Sequence, residues 1–246
     1  MRPRIAIPVT HSADKEYAER ALPQYEHAVE VAGGEPVRIP LDKAPADVMK
    51  LIERCDAVVL PGSKADIDPA KYEAARDRRT NASDPARDTV DELLLQDAYN
   101  MKKPVLAICY GLQALNVYRT GTLVQHIESA TNHAAGRKVA VAHTVAVEDG
   151  SKLAGILRST QAVPVNSSHH QSADVVGDGL RVVARCPEDG IVEAVEGTSP
   201  DHFVLGVQWH PERSVDDDEP SRAIFCALVE AAQARHERLK GEFESV

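Results

Sequence analysis

The chain predicts an α/β fold, with a mostly parallel sheet and helices on both faces. Three observations carry this. Short apolar runs alternate with helical patterns through the first half. Two of those runs, Ala57–Leu60 and Pro104–Ile108, are apolar throughout, as strands covered on both faces are. The second half changes character. His143–Glu148, Arg181–Arg185, Ile191–Glu196 and Phe203–Gln208 follow one another closely and predict an antiparallel or mixed sheet added to the first.

The elements follow in order. Arg4–Val9 predicts a first strand. Leu22, Tyr25, Ala28, Val29 and Ala32 recur at helical spacing, and Gly33-Gly34 stops that helix. Pro36–Ile39 is a second strand, and Pro45–Glu53 a helix with Val48, Leu51 and Ile52 on one face. The polar stretch from Ala65 to Thr89 is a long loop, a kind that is often functional. Asp84-Pro85 provides an N-cap followed by proline at the first helical position. Val90, Leu93, Leu94 and Ala98 then face inward. Gly111–Tyr118 is a helix, and Pro220 to about Lys240 a final one burying Ile224, Phe225, Leu228, Val229 and Ala232. Asp216–Glu219 reads as a solvated turn before it.

Charge narrows the function classes. With 28 basic and 38 acidic residues, the chain lacks a nucleic-acid footprint and a polybasic membrane patch. No apolar run approaches the ~20 residues that span a bilayer. The apolar stretch after Arg4 is too short for a signal-peptide core, so a reducing cytoplasm is the expected compartment. The four cysteines show no CxxC spacing, which argues against a disulfide framework or a zinc finger. Cys55, Cys186 and Cys226 read as core or strand residues.

Cys109 differs. An apolar strand runs into Ala107-Ile108-Cys109-Tyr110-Gly111 and then a helix, the strand–nucleophile–helix elbow with cysteine in place of serine. Such a turn needs small residues two before and two after the nucleophile, and Ala107 and Gly111 supply them. A helix N-terminus favours the thiolate. Gln113 lies one helical turn on and faces the same side.

A thiolate nucleophile needs a base held by a third group. Among ten histidines, His210 stands out in Gln208-Trp209-His210-Pro211-Glu212, at a strand's end with Glu212 close enough to orient it. A second cluster, Asn166-Ser167-Ser168-His169-His170-Gln171, invites a metal reading. Adjacent histidines in an extended segment point to opposite faces, and no HExxH or cysteine ligand set accompanies them, so no metal is expected. Pro61-Gly62-Ser63, after the third strand, can present backbone N–H groups to an oxyanion. No phosphate-binding glycine motif occurs.

These segments together resemble the class I glutamine amidotransferase-like family and, within it, the γ-glutamyl-γ-aminobutyrate hydrolase group, peptidase family C26. The carrying residues are Leu60–Ser63 with Asp66–Pro69, Arg87-Asp88, Ile108–Gln113 with Leu115–Val117, and Gly121–Leu123. Val165–Gln171, Asp189-Gly190 with Glu193-Ala194, and Gly206–Glu212 complete the series, which spans nearly the whole chain. The resemblance implies one such domain over residues 1–246. Its fold is a flavodoxin-like three-layer α/β/α sandwich with a mostly parallel central sheet and an added small antiparallel sheet. It implies Cys109 as nucleophile, His210 as base and Glu212 as the residue that orients the imidazole. Backbone N–H groups of Ser63 and Tyr110 would form the oxyanion hole. Gly62, Gln113, Ser168 and His169 would line the γ-glutamyl pocket, with His170 and Gln171 shaping it.

Several positions depart from the family pattern. Ala107 and Ser63 stand where glycine is usual, Thr120 where a glycine pair is common, and His126 where aspartate is common. Tyr110 stands where arginine is frequent, which bears on the substrate's tail. The activity implied is cysteine-dependent hydrolysis of a small γ-glutamyl amide, without cofactor or metal, by a chain that forms a homodimer. Two alternatives stand beside it: a glutaminase subunit serving a synthetase partner in trans, and a silent γ-glutamyl-binding protein.

Overall fold

Strand alternation and helix faces assemble into one extended sheet with helices on both sides. The computed structural model of the protein describes residues 2–244. In chain order the first half runs β1 (Arg4–Pro8), α1 (Lys15–Val31), β2 (Glu35–Ile39), α2 (Pro45–Ile52), β3 (Ala57–Leu60), α3 (Pro85–Met101), β4 (Val105–Ile108) and α4 (Tyr110–Tyr118). The second half runs β5 (Leu123–Val124), β6 (His143–Val147), α5 (Lys152–Leu157), β7 (Val163–Val165), β8 (Ser172–Ala173), β9 (Leu180–Arg185), β10 (Val192–Gly197), β11 (Val204–Val207) and α6 (Glu219–Glu244).

The large sheet has the order β2-β1-β3-β4-β11-β10-β9-β6-β7. Its first five strands pair in parallel. From β11 onward every pairing is antiparallel. The closely spaced strands of the second half therefore continue the first sheet across β11, whose backbone pairs with β4 in parallel and β10 antiparallel. The separate small antiparallel sheet comes instead from two brief strands, β5 and β8.

Side-chain alternation along each strand divides the core into two layers. Ile5, Ile7, Leu106 and Ile108 pack with α1, α5 and α6 on one face. Ala6, Val58, Val105 and Ala107 pack with α2, α3 and α4 on the other. The apolar face of α6 is buried at Ile224, Phe225, Leu228, Val229 and Ala232. Gly33 stops α1 because its φ of +90° is one that other residues adopt only with strain. Cys55 and Cys186 are buried, whereas Cys226, on α6, is only half-buried.

α3 differs from its apolar pattern. Asp84 caps it, accepting from the Arg87 backbone N–H. Leu95 is buried beside Val90, Leu94 and Ala98, while Leu93 is half-exposed. Arg87 and Asp91, one turn apart, are also fully buried and paired at 2.8 Å. The Arg87 guanidinium donates to the Thr10 and Pro61 carbonyls and lies 5.0 Å from the Tyr110 ring centroid. This cation thus ties the ends of the β1 and β3 segments to the start of α4. Among the described residues no helix is long and apolar enough to cross a membrane.

Candidate active site

The site forms where β3, β4 and β11 end together, the edge at which parallel α/β sheets bind ligands. Cys109 is the hinge between β4 and α4. Its φ of 54° and ψ of −107° are strained for a residue with a side chain, as a nucleophile elbow requires. Gly111 makes this turn possible: a Cβ there would lie 2.1 Å from the Leu60 carbonyl oxygen. Cys109 N–H also donates to Val207 O, which locks the elbow to β11.

Two residues past β11, Trp209 packs into the core and His210 turns toward Cys109. Its Nδ1 lies 2.7 Å from Glu212 Oε1, and both side chains are buried. Burial disfavours a charged imidazole, but Glu212 and Cys109 outweigh it and raise the His210 pKa to about 9. Burial also works against the Glu212 carboxylate; His210 overcomes it and holds the Glu212 pKa below its ordinary value. The His210 backbone is clamped by Asn166, whose side chain donates to His210 O at 2.8 Å and accepts from His210 N at 2.9 Å.

A cavity of about 280 Å³ opens onto Cys109 and His210. Ser63, Tyr110, Gln113, Ser168, His169, His170 and Gln171 line it. Gly62 does not. It sits behind the wall, where its N–H donates to the Tyr25 hydroxyl and a Cβ would press at 3.0 Å on the His210 ring. That close approach is what the glycine permits.

The remaining wall residues are held from behind. Gln113 Nε2 donates to Gln171 O, and Ser168 Oγ accepts from Arg213. His170 bonds Asp66 and Asn81 and lies beside His126, with 3.3 Å between their Nδ1 atoms. Tyr110 turns its side chain away from the cavity: its hydroxyl donates to Asp88 at 2.5 Å and the residue is buried. The tyrosine that stands in place of arginine thus packs beneath the elbow. Tyr17, Lys64, Asp66, Asn81 and Arg213 also line the cavity. Of these, only Asp66 lies within a motif; Arg213 had one local signal, its place directly after Glu212.

His169 and His170 do diverge, although their segment is irregular and not a strand. His169 does not stand alone, however. It meets His133, His143 and Glu193, residues far apart in the sequence, in a buried group whose ligand atoms lie within 4.8 Å of one another.

The family model for Peptidase C26 matches residues 5–212. The gamma-glutamyl-gamma-aminobutyrate hydrolase PuuD of Escherichia coli K12 is 34% identical over 243 residues, covering 94% of each chain. A Mycobacterium tuberculosis protein assigned provisionally as a glutamine amidotransferase is 39% identical, over 85% of this chain and 66% of that one. Among solved structures, a Thermoplasma acidophilum protein assigned provisionally to GMP synthase superposes with a TM-score of 0.65 at 15% identity, covering 98% of both chains. That likeness is one of fold.

Proposed function

The chain belongs to the peptidase C26 family, and from that premise we propose that it hydrolyses γ-glutamyl amides through a Cys109–His210–Glu212 triad. The observation that carries the reading is the strained elbow at Cys109, facing a buried His210 whose other ring nitrogen is held by Glu212. The substrate class is γ-glutamyl-γ-aminobutyrate or a related γ-glutamyl amine, as the name of the E. coli relative supports. Lys64 and Arg213 beside the cavity suit the carboxylates of such a molecule, and Asp66 suits its α-amino group.

In the proposed reaction the Cys109 sulfur forms a bond to the γ-carbonyl carbon. The carbonyl oxygen, now anionic, accepts from the N–H groups of Ser63 and Tyr110. His210 Nε2 delivers its proton to the leaving nitrogen as the C–N bond breaks, leaving a γ-glutamyl thioester. A water then gives a proton to His210 and attacks the thioester carbon. The C–S bond breaks, releasing glutamate and restoring the thiolate. Glu212 holds the ring so that Nε2, not Nδ1, faces the sulfur.

The test is glutamate and ammonia release from glutamine, γ-glutamyl-γ-aminobutyrate and γ-glutamyl polyamines. Fast glutamate release from a γ-glutamyl amine is expected, with glutamine poor, and Cys109→Ala should reduce it by roughly 10⁴-fold or more. Ser63→Ala should change it little, because only the backbone N–H of Ser63 is used. A Cys109→Ala protein that keeps its turnover would overturn the mechanism. Glutamine hydrolysis that appears only with a synthetase partner would instead identify an amidotransferase component.

A further inference from the structure

We propose that His133, His143, His169 and Glu193 form a binding site for a tetrahedral divalent transition-metal ion of the zinc type, beside the Cys109 cavity, with His169 in the wall between the two. All four residues are buried. His133 lies in the loop before β6, His143 begins β6, His169 follows β7, and Glu193 belongs to β10. Glu193 sits where the register of β10 against β9 shifts by a residue, an irregularity of the kind that re-aims a side chain.

Hydrogen bonding around the cluster determines which ring nitrogens face inward as acceptors. His133 Nε2 lies 2.8 Å from Asp189 Oδ2, His143 Nδ1 is 3.1 Å from Thr144 O, and His169 Nδ1 is 2.9 Å from Gln171 O. Each of those partners is a carboxylate or carbonyl oxygen that can only accept, so each outer nitrogen carries the proton. In a neutral ring the inner nitrogen is then a lone pair. The three inner nitrogens, His133 Nδ1, His143 Nε2 and His169 Nε2, converge on Glu193 Oε1 at 3.1, 3.5 and 3.5 Å. The contacts are at ion-pair distance but poorly angled for hydrogen bonds, and among the described residues neither these nitrogens nor the Glu193 oxygens have another hydrogen-bond partner. Buried acceptors facing one another repel unless a positive charge lies among them, either a bound cation or a proton on one of the rings.

Tetrahedral bonds of 2.0–2.2 Å place neighbouring ligand atoms about 3.4 Å apart. The three separations on Glu193 Oε1 are close to that, and the ligand atoms of the histidines lie within 4.8 Å of one another, so the rings need only a small inward shift to close on a zinc-type ion. The outer bonds are those of ligating histidines, whose second nitrogen donates to a carboxylate or carbonyl. Glu193 and Asp189 together match the ion's two charges. Four protein ligands leave no open position, the pattern of a structural rather than catalytic zinc. Such an ion would tie the 133 loop, β6 and β10 to the Ser168–Gln171 wall of the cavity.

The test uses the whole chain carrying Cys109→Ala, which removes the cavity sulfur as a rival ligand. Protein produced with added Zn²⁺ is desalted and its metal content measured. Chelator-treated protein is then titrated with Co²⁺ and its visible spectrum recorded. The site predicts about one tightly held Zn²⁺ per chain, and the intense visible bands of tetrahedral Co²⁺. His143→Ala and Glu193→Gln should each abolish both signals. Absence of retained metal and of those bands in the Cys109→Ala chain overturns the proposal, whatever the folding of the variants. It would leave buried imidazolium rings as the balance for Glu193. Signals that persist in His143→Ala overturn it as well. A cobalt–thiolate charge-transfer band also overturns it, because it would place the ion on the neighbouring His133–Cys186–Asp189 group.

Discussion

The side chain of Asn166 brackets the backbone of His210, donating to its carbonyl at 2.8 Å and accepting from its N–H at 2.9 Å. The two residues are 44 positions apart and both are buried. Asn166 thus joins the end of the β7 segment to the end of β11 and sets where the imidazole starts. Nothing in this contact touches the ring, so Asn166 acts by position.

Asn166→Ala should therefore lower kcat by roughly 10- to 100-fold, with KM little changed. Losing a bracket of buried hydrogen bonds is worth about 1–3 kcal/mol. Asn166→Asp keeps the acceptor and loses the donor, so it should fall between the two. Steady-state kinetics beside a melting curve separate this from general loss of stability. An equal drop in kcat for both variants would count against the bracket.

Glu212→Gln should move the alkaline limit of activity. With Glu212 in place, His210 holds its proton up to about 9, and in the proposed reaction the leaving amine takes that proton. A neutral amide cannot stabilise the imidazolium as a carboxylate does. The His210 pKa falls, and the limb on which kcat/KM declines with rising pH shifts downward. Maximal kcat should fall too, by about 10²–10⁴-fold. A pH–rate profile of both proteins reads this directly.

Gly111→Ala should destabilise the fold strongly. The added Cβ would meet backbone, the Leu60 carbonyl oxygen at 2.1 Å, and backbone cannot rotate aside. We expect a loss of at least about 3 kcal/mol, at the upper end for overpacking. Denaturant unfolding measures it. Ala107→Gly, on the other side of the elbow, adds no atoms, so its cost should come only from backbone entropy and a lost methyl, about 1 kcal/mol.

Arg87→Ala should cost about 3–5 kcal/mol, because it leaves Asp91 buried and uncompensated. Burial raises the Asp91 pKa to about 6 even with Arg87 beside it. Without that cation the carboxyl would take up a proton still more readily. The destabilisation should consequently be larger at pH 8, where Asp91 must stay charged or bind a proton against the solvent, than at pH 5. Unfolding curves at the two values test the difference.

Much of the site was legible because its signals are local. An apolar run, a small residue, a cysteine and a glycine within the eight positions Pro104–Gly111 dictate a strand, a strained turn and a helix start. His210 and Glu212 lie two residues apart, so one turn brings their side chains together. The paired chemistry of Arg87 and Asp91 also lies one helical turn apart, yet an apolar count along α3 treats both as solvent-facing. Only the packed structure shows them inside, where Thr10, Pro61 and Tyr110 surround the guanidinium.

The sequence alone therefore determined the alternating α/β order, the elbow at Cys109 and the family to which these motifs belong. These depend on the backbone preferences and spacing of neighbouring residues. The tertiary structure decided that the second half extends the first sheet, that Gly62 makes room behind His210, and that Tyr110 points inward. It also brought His133, His143, His169 and Glu193 to a single point. Those outcomes depend on strand order, on a shift of register in β10 and on which face each side chain occupies. Contacts between segments tens of residues apart leave no periodicity in the chain, so only packing reveals them.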